Sequence, residues 1–220
     1  MLPEYHRQIT RNALSPYFGE SELEEVIEGN LAQDFVTGQI GHPEFHFDDS
    51  EFDRTYAYLA GLKENVLAGI RTGYRLGSCR ADLGRFMHAS QDFYAHSNYI
   101  RLWAKKHQVT PKTWNGEIDI IDQEIIKSNE LTSGHFYTPW EMITFIPYIG
   151  YLFTPLFPKD SHAALNIDSP QKNAWFPLAF KAANMRTRYE AGQLFDLLYR
   201  DHSQNLFRFL GKSINAFEGV

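Results

Sequence analysis

The chain has 220 residues, 43 % hydrophobic and 15 % aromatic, which suffices to bury a sizeable core as one domain over 1–220. A formal net charge of −6 gives no electrostatic footprint for duplex nucleic acid, although metal ions held by acidic residues would reverse that sign locally. The single cysteine, Cys79, excludes an internal disulfide and a thiolate metal cluster, so any metal must be held by nitrogen and oxygen donors. The start, Met-Leu-Pro-Glu-Tyr-His, lacks the regions of a signal peptide; the sequence as given reads as cytoplasmic, or as secreted if a leader was removed.

Helical periodicity dominates, and no period-two alternation is sustained. His6 sits in a short predicted helix with Ile9 and Leu14 on its apolar side. The spacing Ser21-Glu-Leu-Glu24 has the form of a capping box and opens an amphipathic run to about Val36. Asp49 or Ser50 can cap the next run, Glu51 to about Leu76. A helix from about Ser78 to Lys106 follows, then a weaker one from Ile118 to Ser128, and a long one from Asn173 to Gly211, bent near Asp201 to Ser203. The expectation is an all-α helical bundle with long metal-binding loops.

Chemistry concentrates in the third run. His88, Asp92 and His96 recur at four-residue steps, so the three side chains stack along one helical stripe, drifting about 40° each step. Two imidazoles and a carboxylate on one stripe suit a first-row divalent metal, zinc foremost; the same residues also fit a buried polar network in which Asp92 satisfies the histidines. The loop Gly41-His-Pro-Glu-Phe-His-Phe-Asp-Asp-Ser50 adds His46 and Asp48, with Phe45 and Phe47 pulling His46 inward, although its aspartates also read as helix caps. A later loop adds His162, Asn166 and Asp168. His6, surface-like alone, becomes a candidate ligand beside these clusters.

Several of these blocks together resemble a known family: His6 followed by Ile9-Thr10 and Ala13-Leu14, His46-Phe-Asp48, Phe86-Met-His88-Ala-Ser-Gln-Asp92-Phe-Tyr-Ala-His96-Ser-Asn98, Leu131-Thr-Ser-Gly134 and Leu165-Asn-Ile-Asp168-Ser-Pro170. The pattern resembles the zinc-dependent phospholipase C and single-strand nuclease superfamily, nearest its heterokaryon-incompatibility-protein (Het-C-like) branch. The resemblance implies a helical domain holding up to three zinc ions that cut phosphate esters. His88, Asp92 and His96 match the central ligands, His6 the amino-terminal histidine and Asp48 the loop aspartate. In such a site, ions about 3.5 to 4 Å apart activate water and neutralise the phosphate, and Asp48 or Asp49 could orient that water or accept its proton. The resulting expectation is a phospholipase C-like phosphoesterase with one to three zinc ions and the ligand candidates His6, His46, Asp48, His88, Asp92, His96, His162 and Asp168. A single-strand nuclease and a non-catalytic, metal-stabilised lipid-binding or interaction protein are the alternatives.

Residues 137–158 carry many aromatic and aliphatic side chains but four prolines, too many for a transmembrane helix. They read as a buried flap, a lid over an apolar substrate, or a peripheral membrane contact through Trp140, Tyr148 and Tyr151. This segment favours a phospholipid or other apolar phosphoester as substrate. In the last helix, Arg186 and Arg188 beside Glu190 read as a solvated face.

Overall fold

A computed structural model of the chain describes residues 1–35, 38, 41–137, 140–145 and 150–212. Helices form about two thirds of the chain (68 %), so the all-α expectation holds; the only extended pairings among the described residues are the isolated bridges Ser97 with Ser133 and His135 with Ser161.

Helix α1, Pro3–Leu14, opens with the proline its first turn tolerates and buries His6, Ile9, Thr10, Ala13 and Leu14 along one stripe. Helix α2, Glu20–Leu31, starts at Gly19 and not at a Ser21 cap. The expected capping box does not form, because Glu24 pairs with Arg7 at 3.1 Å and with Arg11, while Gly19 donates to the Leu210 carbonyl at 2.7 Å. A 3₁₀ turn at Ala32–Asp34 follows; Val36, the expected end of this run, lies outside the described residues. Helix α3, Phe52–Thr72, stops at Gly73, whose left-handed φ of 68° ends it short of Leu76. Neither Asp49 nor Ser50 caps it. Asp49 instead accepts from Phe136 N at 2.8 Å, and Ser50 exchanges hydrogen bonds with Ser133.

The third run divides. Helix α4, Leu76–His96, ends where Ser97 turns extended, and helix α5, Tyr99–His107, begins two residues later. The break is tertiary: Asn98 bonds the 130–132 loop through Thr132 O at 2.9 Å, Glu130 O at 2.8 Å and Thr132 N at 3.0 Å. Asp122 caps the short α6, Gln123–Ile126, and Ser161 caps α7, His162–Leu165. Helix α8, Phe176–Leu210, carries its non-helical residue at His202, within the predicted bend. Within 137–158, 3₁₀ turns span Trp140–Phe145 and Gly150–Leu156, with Trp140, Leu152 and Leu156 exposed. Tyr148, with residues 138, 139, 146, 147 and 149, lies outside the described residues. No helix among the described residues is long and apolar enough to cross a membrane.

Helix α4 is the axis, packed by α2, α3 and α8, and nearly every residue from Phe86 to His96 is buried. Two glycines let α2 approach it backbone to backbone. A Cβ at Gly84 would run into the Val26 carbonyl oxygen and the Asn30 amide, and one at Gly29 into the Ala81 backbone. This closeness carries Asn30 to the polar stripe of α4. Gly84→Ala should therefore destabilise the fold by about 2 kcal/mol despite its better helix propensity, as overpacking does. Gly61→Ala, on α3 with nothing within 4 Å of its Cβ, should stabilise by about 0.5–1 kcal/mol; chemical denaturation of both variants checks the pair.

Candidate metal centre

Four regions of the chain converge on α4. From α1 comes His6, stacked on His88 with ring centroids 4.1 Å apart, its Nδ1 2.6 Å from Gln91 Oε1. The 42–50 loop delivers His46 and Asp48 because Phe47, at a left-handed φ of 57°, buries its ring against Phe52, Tyr56 and Phe93. The α2 turn supplies Asp34, 3.7 Å from His88 Nε2. From α7 and the strand-like stretch after it come His162 and Asp168. Gly134 is needed for the last approach, since a Cβ there would collide with the His162 backbone.

Asp92 sits at the centre, fully buried. Its Oδ2 lies 3.0 Å from both His46 Nδ1 and His88 Nε2, which are themselves only 3.1 Å apart. Its Oδ1 lies 3.1 Å from His6 Nε2, 3.8 Å from His96 Nε2 and 2.5 Å from the Met1 amino group. His96 bridges outward: Nδ1 is 3.3 Å from Asp48 Oδ1, and Nε2 is 3.3 Å from Asp168 Oδ1. Three sets of donor atoms converge within 4.8 Å: His6, His88 and Asp92; Asp34, His46 and His88; Asp48, His96 and His162. Above them opens a cleft of about 250 Å³ lined by Asp34, His46, Asp48, His96, His162 and Asp168 among others.

The charges are strongly perturbed. Burial works against the Asp92 carboxylate, yet His96, the amino group, His6 and His88 together hold it well below the usual carboxylate range. Burial likewise opposes a charged His96, but Asp92 and Asp48 raise it well above its ordinary value; His46 is raised by the same carboxylates against the pull of burial. His88 goes the other way, pushed from 6.5 to about 4 by burial and by His6. Burial lowers His6 and His162 as well. The cluster thus attracts positive charge overall and meets that demand unevenly.

The donor set fits a metal ion. Imidazole and carboxylate are the oxygen and nitrogen ligands that zinc accepts. Two buried atoms here, His46 Nε2 and Asp34 Oδ2, have no hydrogen-bond partner among the described residues, a costly arrangement unless something else engages them. Oriented second partners are present: His88 Nδ1 lies 3.3 Å from Asn30 Oδ1, and His96 Nδ1 3.0 Å from the His46 carbonyl.

The sequence-predicted residues are not all equivalent. His6, His46, Asp48, His88, Asp92, His96 and His162 meet in the three sets, and Asp168 borders them through His96. Asp49 does not join: its carboxylate holds Phe136 N and His135 Nδ1, both at 2.8 Å, and so fastens the 133–136 loop. Asp34, Asn30 and Gln91 escaped sequence reasoning. Asn30 had a legible signal, since a polar residue seven after Leu23 and three after Ile27 interrupts the apolar stripe of α2.

Fold and site together define an all-α domain with a buried histidine–aspartate cluster. The chain belongs to the family described as the VWA7 N-terminal domain, which it matches over residues 6–116. It is similar to von Willebrand factor A domain-containing protein 7 of mouse, 34 % identical over 131 residues covering 52 % of this chain and 14 % of that protein. The human protein is 38 % identical over 94 residues, 39 % of this chain and 10 % of its own length, and the rat protein 33 % over 133 residues, 53 % and 15 %. The matches thus span only 10 to 15 % of these relatives' length. No solved structure matches.

This membership corrects the resemblance to the zinc-dependent phospholipase C and single-strand nuclease superfamily: no such family matches. The expected phosphoesterase activity, whether phospholipase C-like or nuclease-like, has no support and is withdrawn with it. The parts expected of Asp48 and Asp49 in activating water belonged to that hydrolysis and go with it. The physical reason is that histidine and aspartate at four-residue steps specify a ligand stripe, which says what a helix can hold and not which reaction follows.

The lowered histidines fix the acid behaviour of the metal-free chain. A group whose folded value lies below its unfolded one stabilises the fold fully above the unfolded value, and that contribution drains away as pH falls towards the folded value. For His88 the window runs from 6.5 to about 4, whereas the raised His46 and His96 act in the opposite sense, adding stability as pH falls through their folded values and levelling off below 6.5. Metal-free protein should lose stability across that window in denaturant titrations, and His88→Gln should flatten the loss. An unchanged slope in the variant would contradict this assignment.

Proposed function

We propose that this domain is a zinc-binding module in which ions at the base of the cleft fasten α1, the 42–50 loop and α7 to α4. The observation that carries the reading is the crowding at Asp92, where three imidazoles surround one buried carboxylate while His46 Nε2 and Asp34 Oδ2 beside it stay unpaired among the described residues. Zinc suits the donors because imidazole nitrogens outnumber carboxylates in the cluster; the one thiol, Cys79, lies 3.8 Å from the Asn65 carbonyl on another face of α4 and takes no part.

The stoichiometry follows from the donor sets. His88 belongs to two of the three, and its single Nε2 serves one ion at a time. Two ions therefore fill the cluster without sharing an imidazole: one at His88 with either His6 and Asp92 or Asp34 and His46, the other at Asp48, His96 and His162. Asp92 faces both groups and would link them. When bound, zinc supplies the positive charge that the buried carboxylates otherwise draw from protons on His96 and His46.

Elemental mass spectrometry on the chain equilibrated with zinc and desalted should find two ions, falling by at least one in Asp92→Ala. Chelation should lower the thermal midpoint by roughly 10 °C, the scale of about 4 kcal/mol of ligand stabilisation in a chain of this size. Zinc addition at pH 7 should also release protons, His96 giving up the one it holds; calorimetry in buffers of different ionisation enthalpy reads the number. A chain that retains no zinc after equilibration would overturn the proposal.

A further inference from the structure

A second cavity, of about 340 Å³, opens on the other side of α4 from the cluster, between α3, α4, α6 and α8. Its size falls in the range of small-molecule sites, roughly 300–1,000 Å³. The walls are apolar: Phe47, Leu59, Phe86, Phe93, Ile121 and Ile126. Set into them are two cations, Lys63 and Arg186, against one carboxylate, Glu190. Arg186 is not on a solvated face, as the sequence suggested; its side chain is 23 % exposed and is held by Glu190 at 2.7 Å and by Tyr94. The Tyr94 hydroxyl donates to the Ile120 carbonyl at 2.6 Å and so receives from the guanidinium.

Those two contacts leave guanidinium donors over. Arg186 Nε is buried with no hydrogen-bond partner among the described residues, a group that proteins rarely leave unmet. Arginine's planar fork suits carboxylates, and the surplus positive charge, walled by aromatic and aliphatic side chains, would be strengthened by the low local dielectric. We propose that this pocket binds a small carboxylate with an apolar tail or ring, the carboxylate meeting Arg186 and Lys63 and the apolar body lying between Phe47, Phe86 and Phe93. The charge balance admits one negative charge and disfavours neutral ligands of the same shape.

Sodium decanoate below its micelle concentration is the probe, titrated calorimetrically into the zinc-equilibrated chain. One saturable site is expected, with decanol weaker by about tenfold or more, the scale of one charge-assisted hydrogen bond. Ala60→Trp fills the mouth of the pocket from an exposed α3 position and should abolish binding without disturbing the core, and Lys63→Glu should weaken it about tenfold. Arg186→Met should do the same, although it strands Glu190 and needs its folding confirmed by circular dichroism; the two α3 variants carry the test if it unfolds. Acetate should not compete. Absence of saturable binding, equal affinity for decanol, unimpaired binding by Ala60→Trp, or displacement by acetate at the metal cluster would each overturn the proposal.

Discussion

A single buried carboxylate organises this molecule. Asp92 lies at the midpoint of the ligand stripe of α4, without solvent access, and is tolerable there only because nitrogen donors from α1, the 42–50 loop and α4 itself surround it. Removing any one of them would leave charge uncompensated in a low-dielectric interior. The elements are thus fixed in relation to one another by electrostatics as much as by apolar packing. The glycines that seat α2 on α4, and Gly134 that seats its loop on α7, serve the same end by letting backbone approach where side chains would hold the ligands apart.

The same arrangement ties the site to the core behind it. Phe47 lies between His46 and Asp48 in sequence and Phe93 follows Asp92, and their rings meet at 5.1 Å on the side away from the cluster. Polar and apolar faces of one loop and one helix turn are thus fixed together. The left-handed φ of Phe47 is the local cost of placing one ring in the core and two ligands on the opposite side. The pocket containing Arg186 is bounded by those two rings, each next in sequence to a residue of the cluster.

Much of this was legible in the sequence where the cause is local. Helical periodicity gave the α1, α3 and α8 runs, and the four-residue steps gave the His88, Asp92 and His96 stripe. What escaped was set by distant contacts. The α4–α5 break depends on Asn98 gripping the 130–132 loop, and the Ser21–Glu24 box loses to arginines on another helix. Asp34 enters the cluster only because a 3₁₀ turn follows α2, and Arg186 turns inward because Tyr94 and Glu190 receive it. The family was misjudged for a related reason: a ligand stripe records the demands of an ion, which unrelated sequences can meet with the same residues.

The central claim is that the crowded donors around Asp92 are a metal site. Crystals grown with zinc and measured at the zinc absorption edge test it most directly. The account predicts anomalous peaks about 2.0–2.2 Å from imidazole nitrogens of the cluster, one at the His88 side of Asp92 and one beside His96 and His162. Peaks confined to surface residues, or none, with Asp92 hydrogen-bonded to protonated histidines, would contradict it and leave the cluster as a buried polar network.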